Sequence, residues 1–175
     1  MRERDAVLGA MKTFKSRKSV ARIKRELDFT RKAARIGVGP PVLSEWEPSE
    51  NSRCFVVAPL ERTLTQMIRD EGSLSVDHAN QIFALMRRLS DARILHNDPN
   101  IGLNIMEDDT GKLRVIDYGF SRAINQEDLR KRGPDPNMRL VSYLKRLVGL
   151  EPFNKLFAPR LVAYSSTWHD KSILP

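Results

Sequence analysis

The stretch RILHNDPNIGLNIMEDDTGKLRVIDYGFSR, residues 93–122, holds two acidic stations, each placed behind a short apolar run. Asp98 follows Ile94-Leu95, Asp117 follows Leu113 to Ile116, and Asn104 lies in the loop between them. Asp and Asn beside glycine are ordinary turn formers. An apolar strand ending in Asp-x-Gly is also how a carboxylate is delivered to a metal at a strand end. NIM (104–106) and LRVIDYG (113–119) read as strands around the turn EDDTGK, which predicts a hairpin.

Working outward, SLSVDHANQIFALMRRLSDARIL predicts a helix capped by Ser75, with Asp77 in its first turn and an apolar face of Val76, Ala79, Ile82, Phe83, Met86 and Leu89. A short helix over 64–70 ends at Glu71-Gly72. Before it, PPVLSEWEPSENSRCFVVAPL reads as a short strand, a polar turn and a second strand halted by Pro59. SVARIKRELDFTRKAARIGVGPP carries Val20, Ile23, Leu27, Thr30 and Ala34 at helical spacing and stops near Ile36, with Glu26 at the edge of the apolar stripe, where it can face inward. VLGAMKTFK (7–15) alternates as a strand with Ala10, Lys12 and Phe14 on one side. Downstream, DPNMRLVSYLKRLVG predicts a helix with Pro136 near its first position, Met138, Val141, Leu144, Leu147 and Val148 as its apolar side, and Gly149 as its stop. The tail to YSSTWHDKSILP holds one or two short helices. There is no internal repeat, low-complexity tract or linker.

At 175 residues the chain has the size of one domain, and 41% hydrophobic with 30% charged residues is ordinary for a globular protein. No apolar run is long enough to span a membrane, and MRERDAV lacks the apolar core of a signal peptide. Cys54 stands alone, so a reducing, intracellular and cytoplasmic setting is expected. Residues 1–40 carry twelve of the thirty Lys/Arg and four of the 22 Asp/Glu, which places the whole net charge of +8 at that end. Such a region suits an acidic protein partner, nucleic acid or a nucleotide's phosphates, and equally the solvated face of a basic helix.

Ala10-Met11-Lys12 on the first strand, Glu26 on the following helix, H-N-D…N (96–104) and D-Y-G (117–119) together resemble the eukaryotic-like protein kinase superfamily, and with their elements they span residues 7–148. The resemblance implies an α+β, protein-kinase-like bilobal fold in a single domain, 1–175. Its N-lobe, about 1–60, would be truncated to a small antiparallel sheet plus one helix, and its C-lobe, about 61–175, reduced and mainly helical. It implies ATP and Mg²⁺ as cofactors and transfer of the γ-phosphate to a protein Ser or Thr hydroxyl. Lys12 then resembles the lysine that reaches the nucleotide's phosphates, and Glu26 the carboxylate that holds it in place. Asp98 resembles the carboxylate that accepts the substrate hydroxyl's proton. Asn104 and Asp117 resemble the oxygen ligands of Mg²⁺, and Ala58 and Leu60 are further nucleotide-binding positions that the resemblance implies. His96 resembles the loop histidine that packs behind the D-Y-G turn, and Asp135 the buried Asp that hydrogen-bonds the catalytic-loop backbone.

The family's pattern places Asn five residues after Asp, whereas Asn104 lies six after Asp98. Gly102 could absorb the surplus residue as a bulge at positive φ, or Asn100 could take the metal role. The eleven residues ahead of Lys12 contain one glycine, Gly9, and no counterpart of the glycine-rich loop. Seventeen residues separate Asp117 from Asp135, and no A-P-E motif is present. Asn97 stands where many regulated kinases have Arg, which removes the need for a phosphate on the activation segment. This combination resembles the miniature kinases of bacterial effectors, large DNA viruses and RIO-like atypical kinases. Three functions are consistent with it: an active minimal kinase, a pseudokinase acting as a binding or regulatory module, and a small-molecule phosphotransferase, since aminoglycoside and choline kinases share H-x-D and a later Asp. The implied partner is a protein substrate, acidic if the basic N-terminal region receives it, with nucleic acid as a second candidate.

Overall fold

The computed structural model describes residues 9–44 and 46–169. Val7 and Leu8 of the expected first strand, the basic Arg2 and Arg4, and tail residues 170–175 lie outside them. β1, Ala10–Thr13, leads into α1, Val20–Arg35. The Ser19 hydroxyl accepts the Arg22 N–H at the helix start, meeting one of the donors that a first turn leaves unpaired. Ile23, Glu26, Leu27, Thr30 and Ala33 form the buried stripe, while Arg22, Lys24, Arg25, Lys32 and Arg35 are exposed. The helix closes with Gly37 N–H to Ala34 O (3.0 Å) and Val38 N–H to Ala33 O (2.9 Å), and Gly37 adopts φ 69°, a conformation glycine enters without a Cβ penalty.

β2, Cys54–Val57, pairs with β1 in a small two-stranded antiparallel sheet, with Lys12 opposite Phe55. The hairpin expected over 40–60 is thinner than its sequence suggests. Val42 makes a single bridge to Val57, and Leu43 N–H reaches Val56 O at 2.8 Å. Pro40 and Pro41 have no N–H to give a ladder, so Pro41 contributes only its carbonyl, to Ala58 N–H at 2.8 Å.

β3, Arg62–Thr63, precedes α2, Leu64–Glu71, and α3, Val76–Asp91. Both helices start from a capping hydroxyl, Ser75 as expected and Thr63 in addition, with Thr63 and Gln66, and Ser75 and His78, closing reciprocal bonds. Next come β4, Ile94–Leu95, α4, Ile101–Asn104, β5, Ile105–Glu107, and β6, Leu113–Val115. The order β3-β5-β6 makes a three-stranded antiparallel sheet, and β4 pairs with β7, Arg122–Ala123. Then follow α5, Gln126–Arg132, a 3₁₀ helix over Pro136–Tyr143, α6, Leu144–Val148, α7, Leu150–Leu156, and α8, Ala158–His169.

The segment expected as one α-helix over 135–149 is therefore 3₁₀ for its first half. Its buried residues include Pro136, Asn137, Met138, Leu140, Val141 and Leu144. The main core surrounds α3 and includes Leu64, Met67, Ile82, Met86, Leu89, Ile105, Val141 and Leu144. A smaller cluster of Ile23, Leu27 and Phe55 lies between α1 and the first sheet. Val115 N–H donates to Val38 O (2.8 Å) and Arg114 Nη1 to Gly37 O (3.0 Å), which fastens β6 to the exit of α1.

The surplus residue between Asp98 and Asn104 is taken up by α4 and not by a glycine bulge, and Gly102 has no positive φ. A residue coiled into a helical turn adds about 1.5 Å along the chain against about 3.3 Å when extended, so the winding shortens the reach of this loop. Glycine is needed here for space: a Cβ on residue 102 would lie 2.6 Å from Leu147 Cδ2 and 3.0 Å from Thr65 Oγ1. At the other end of the hairpin, Asp108 is a structural carboxylate. It accepts the N–H groups of Thr110 and Lys112 and the Thr110 hydroxyl, and it pairs with Arg114. Burial pushes its pKa up, but these donors outweigh burial and hold it at about 2.

Two outcomes follow from these contacts. Gly102→Val should cost about 1–3 kcal/mol by overpacking against α6, read from the urea midpoint, and an unchanged midpoint would show slack between α4 and α6. Since the folded Asp108 pKa lies below its unfolded value, its stabilisation is complete above about pH 4 and lost as pH falls through about 2. Melts across this range should show a fall in Tm that Asp108→Asn flattens.

Candidate functional site

Glu26 is the inward residue of α1, and its side chain is 1% exposed. Lys12 Nζ, reaching across from β1, contacts Oε1, and Lys18 Nζ contacts Oε2 at 2.5 Å. The Lys12 contact is an ion pair and not a directed hydrogen bond, which leaves Oε1 with no other partner. Lys12, and not the exposed Lys15, is the strand lysine turned toward the helix. Both cations also lie over the Phe14 ring, Lys18 at 4.6 Å and Lys12 at 5.5 Å from its centroid.

Lys12 Nζ also donates to Asp117 Oδ1 at 3.0 Å, joining residues 105 apart in sequence. Burial raises the Asp117 pKa, but the charge and hydrogen bond of Lys12, the Gly119 N–H and Lys18 together hold it below the usual carboxylate range. Asp117 has φ 59°, ψ 68°, a left-handed conformation that Asp tolerates better than most residues. Gly119 is needed for clearance, because a Cβ there would stand 3.0 Å from Glu26 Oε2 and 3.3 Å from Lys18 Nζ. Beside these charges opens a cleft of about 370 Å³, walled by Ala10, Phe55, Val57, Ala58, Leu60, Met106 and Ile116, with Lys12 and Asp117 in its lining. Of the expected nucleotide-binding residues, Lys12, Ala58, Leu60 and Asp117 thus share one cavity. Asn104 is not in its lining.

Asn104 is buried beside it, its carbonyl accepting the Ile116 N–H at 2.8 Å, which sets it one position from Asp117 across the hairpin. Asn100 instead starts α4 and faces a different cavity, with Ile101 and Tyr143. Asp98 is buried, 4% exposed, and its Oδ1 accepts the Asn100 N–H at 2.9 Å. Asn97, just before it, has φ 62°. His96 packs edge-on against Tyr118 behind the D-Y-G turn, ring centroids 5.2 Å apart. Its Nε2 must carry the proton, because its partner at 2.8 Å is the Ile116 carbonyl, and burial lowers the ring's pKa.

Bonds to the loop backbone of the kind expected of Asp135 are made by Asn137. Its Oδ1 accepts the His96 N–H (2.9 Å), while its Nδ2 donates to Ile94 O (2.7 Å) and Ser90 Oγ (3.0 Å). An amide both accepts and donates here, and a carboxylate could not. Asp135 is itself buried at the start of the 3₁₀ helix. Lys18 and Asn137 went unread in the sequence. The available signal for Lys18 was a cation directly before a helix cap, two turns ahead of an inward Glu.

Among the described residues no cluster of three His, Cys, Asp or Glu could cage a metal. Asn104 and Asp117 fit Mg²⁺, which binds one or two protein oxygens and completes its shell with water and phosphate. Asn104 Nδ2 is buried without a partner, and turning the amide over puts an oxygen at that position, where a cation would satisfy it.

No described protein family matches the sequence, and no curated protein matches it. The chain is similar to a solved structure, the crystal structure of the yeast RNA Pol II CTD kinase CTDK-1 complex, at 19% sequence identity and a TM-score of 0.51 over 67% of this chain. It spans 39% of the length of that chain. The likeness is one of fold: small antiparallel sheets and mostly helical content arranged in a protein-kinase-like way.

Because two lysines share one carboxylate, Lys12→Met or Lys18→Met alone should leave Glu26 paired and the fold little changed. The double variant strands a buried charge and should cost about 3–5 kcal/mol. A double-mutant cycle by urea unfolding checks this, and additive small losses would show that Glu26 does not depend on the pair.

Proposed function

We propose that the chain is a magnesium-dependent phosphotransferase that uses ATP and delivers its γ-phosphate to a protein Ser or Thr hydroxyl. One observation carries the reading: the Lys12–Glu26 pair touches Asp117 at the mouth of an apolar cleft of about 370 Å³, within the size range of small-ligand pockets. Apolar walls with a cation and a carboxylate at one end suit a flat base with phosphates attached. Lys12, steadied by Glu26, draws the phosphates to that end, and Asn104 and Asp117 would hold Mg²⁺ there. When bound, the ion neutralises charge on the transferring group. Asp98 Oδ1 is fixed by the Asn100 N–H, which orients the carboxylate so that its second oxygen takes the proton from the acceptor hydroxyl and aims the attacking oxygen. His96 holds the Ile116 carbonyl, and Asn137 holds the His96 backbone, so the loop carrying Asp98 and the strand end carrying Asp117 are braced by the same two side chains.

Thermal melts with ATP and Mg²⁺ test the binding step. At ten times Kd the gain is about 1.4 kcal/mol, a rise of about 3–5 °C for a chain of this size. Lys12→Met and Asp117→Ala should lose this rise. Asp98→Asn should keep it and lower phosphate transfer by about 10²–10⁴, measured with labelled ATP on autophosphorylation and on protein acceptors beside choline and an aminoglycoside. No rise in the wild type at millimolar nucleotide favours a pseudokinase-like binding module, and an Asp98→Asn rate equal to wild type removes the proposed base.

A further inference from the structure

Two cavities of about 390 and 110 Å³ meet at Pro99 and Tyr143, which line both, and form one groove over the outer side of the loop that carries Asp98. Asn97, Pro99 and Asn100, the neighbours of Asp98 in sequence, are part of its lining, while Asp98 itself is in neither cavity's lining. Its charged lining is of one sign. Arg146 lines the larger cavity, Arg132 and Arg139 line the smaller, and neither lining contains Asp or Glu.

These arginines differ from others in the chain. Arg62, Arg114 and Arg122 are each neutralised by a close carboxylate, at 2.8, 2.9 and 2.6 Å. Arg132 reaches Asp128 only at 3.9 Å, and Arg139 and Arg146 are exposed with no ion pair among the described residues. Between them lie apolar groups left in water: Leu103 is 56% exposed and Tyr143 41%. Unpaired guanidinium groups attract carboxylates, and aliphatic surface between them suits the side chains of an extended peptide. A nucleic-acid strand calls for flat stacking platforms, and Tyr143 is the single aromatic residue of this lining.

We propose that this groove binds the acceptor as an acidic peptide, with Asp or Glu flanking the hydroxyl that Asp98 serves. The proposal rests on the phosphotransferase reading for the identity of the peptide as acceptor, but not for its binding. The basic surface it uses is that of Arg132, Arg139 and Arg146, far along the chain from the basic residues 1–40.

Fluorescence anisotropy on the full chain, with a labelled glutamate-rich peptide carrying Ala at the acceptor position, reads the groove directly. A matched lysine-rich peptide and an oligo(U) RNA serve as competitors. The glutamate peptide should bind about ten-fold tighter than its lysine counterpart, and Arg139→Glu/Arg146→Glu should reduce its affinity by about ten-fold, the scale of two exposed ion pairs reversed. The single neutral variants Arg139→Gln and Arg146→Gln should each give an intermediate loss, and circular dichroism melts check that every variant is folded. Equal binding of the two peptides, an affinity unmoved by the double variant, or tighter binding of the RNA with displacement of the peptide would each overturn the proposal. Serine versions are then assayed for phosphate transfer. Binding without transfer supports the groove and removes the phosphotransferase reading, whereas transfer that the double variant leaves undiminished removes the groove and keeps that reading.

Discussion

A carboxylate taken out of water needs its counter-charge close by, and Glu26 draws two cations to one point. Lys12 arrives from a strand, Lys18 from the turn before the helix, and α1 itself is held against the sheet by Ile23 and Leu27 packing on Phe55. Because Lys12 also reaches Asp117, the same cluster joins the first sheet to the end of β6. Gly119 fits the crowding there, since a Cβ would stand 3.0 Å from Glu26 Oε2 and 3.3 Å from Lys18 Nζ. Helix, strand and D-Y-G turn thus meet at one buried negative charge.

Much of this was legible in the sequence because strong local signals agreed with the tertiary structure. Ser19, Ser75 and the apolar stripes of α1 and α3 start and orient their helices where periodicity puts them. Glu26 at the edge of a stripe and Lys12 on an alternating strand were readable for the same reason. The illegible parts had no periodic signal or depended on distant partners. β3, β4 and β7 are two residues each, too short to show alternation. α5 was missed although Asn125 and Asp128 form a reciprocal cap, because no apolar stripe accompanies it. Asp135 and Asn137 stand on either side of a proline at a helix start, and only the positions of Ser90 and His96, more than forty residues upstream, give the bracing bonds to the amide.

The loop between Asp98 and Asn104 shows how an insertion can be hidden. Its extra residue costs little reach because it is wound into α4, and α4 fits because residue 102 has no side chain to strike Leu147. Spacing along a sequence measures chain length, while a site depends on distance in space, and helical winding separates the two.

The tie between β6 and the exit of α1 fixes one end of that helix, while the other rests on Ile23 and Leu27 against Phe55 and on the charges around Glu26. Glu26 stands eleven residues before Gly37, about 16 Å along the axis. With the Gly37–Val38 end pinned by Val115 and Arg114, α1 is a lever whose fulcrum is its C-terminal turn. A tilt of about 10° would move Glu26 by about 3 Å, enough to part it from both lysines, so the alignment of the phosphate end of the cleft is set by the angle of one helix.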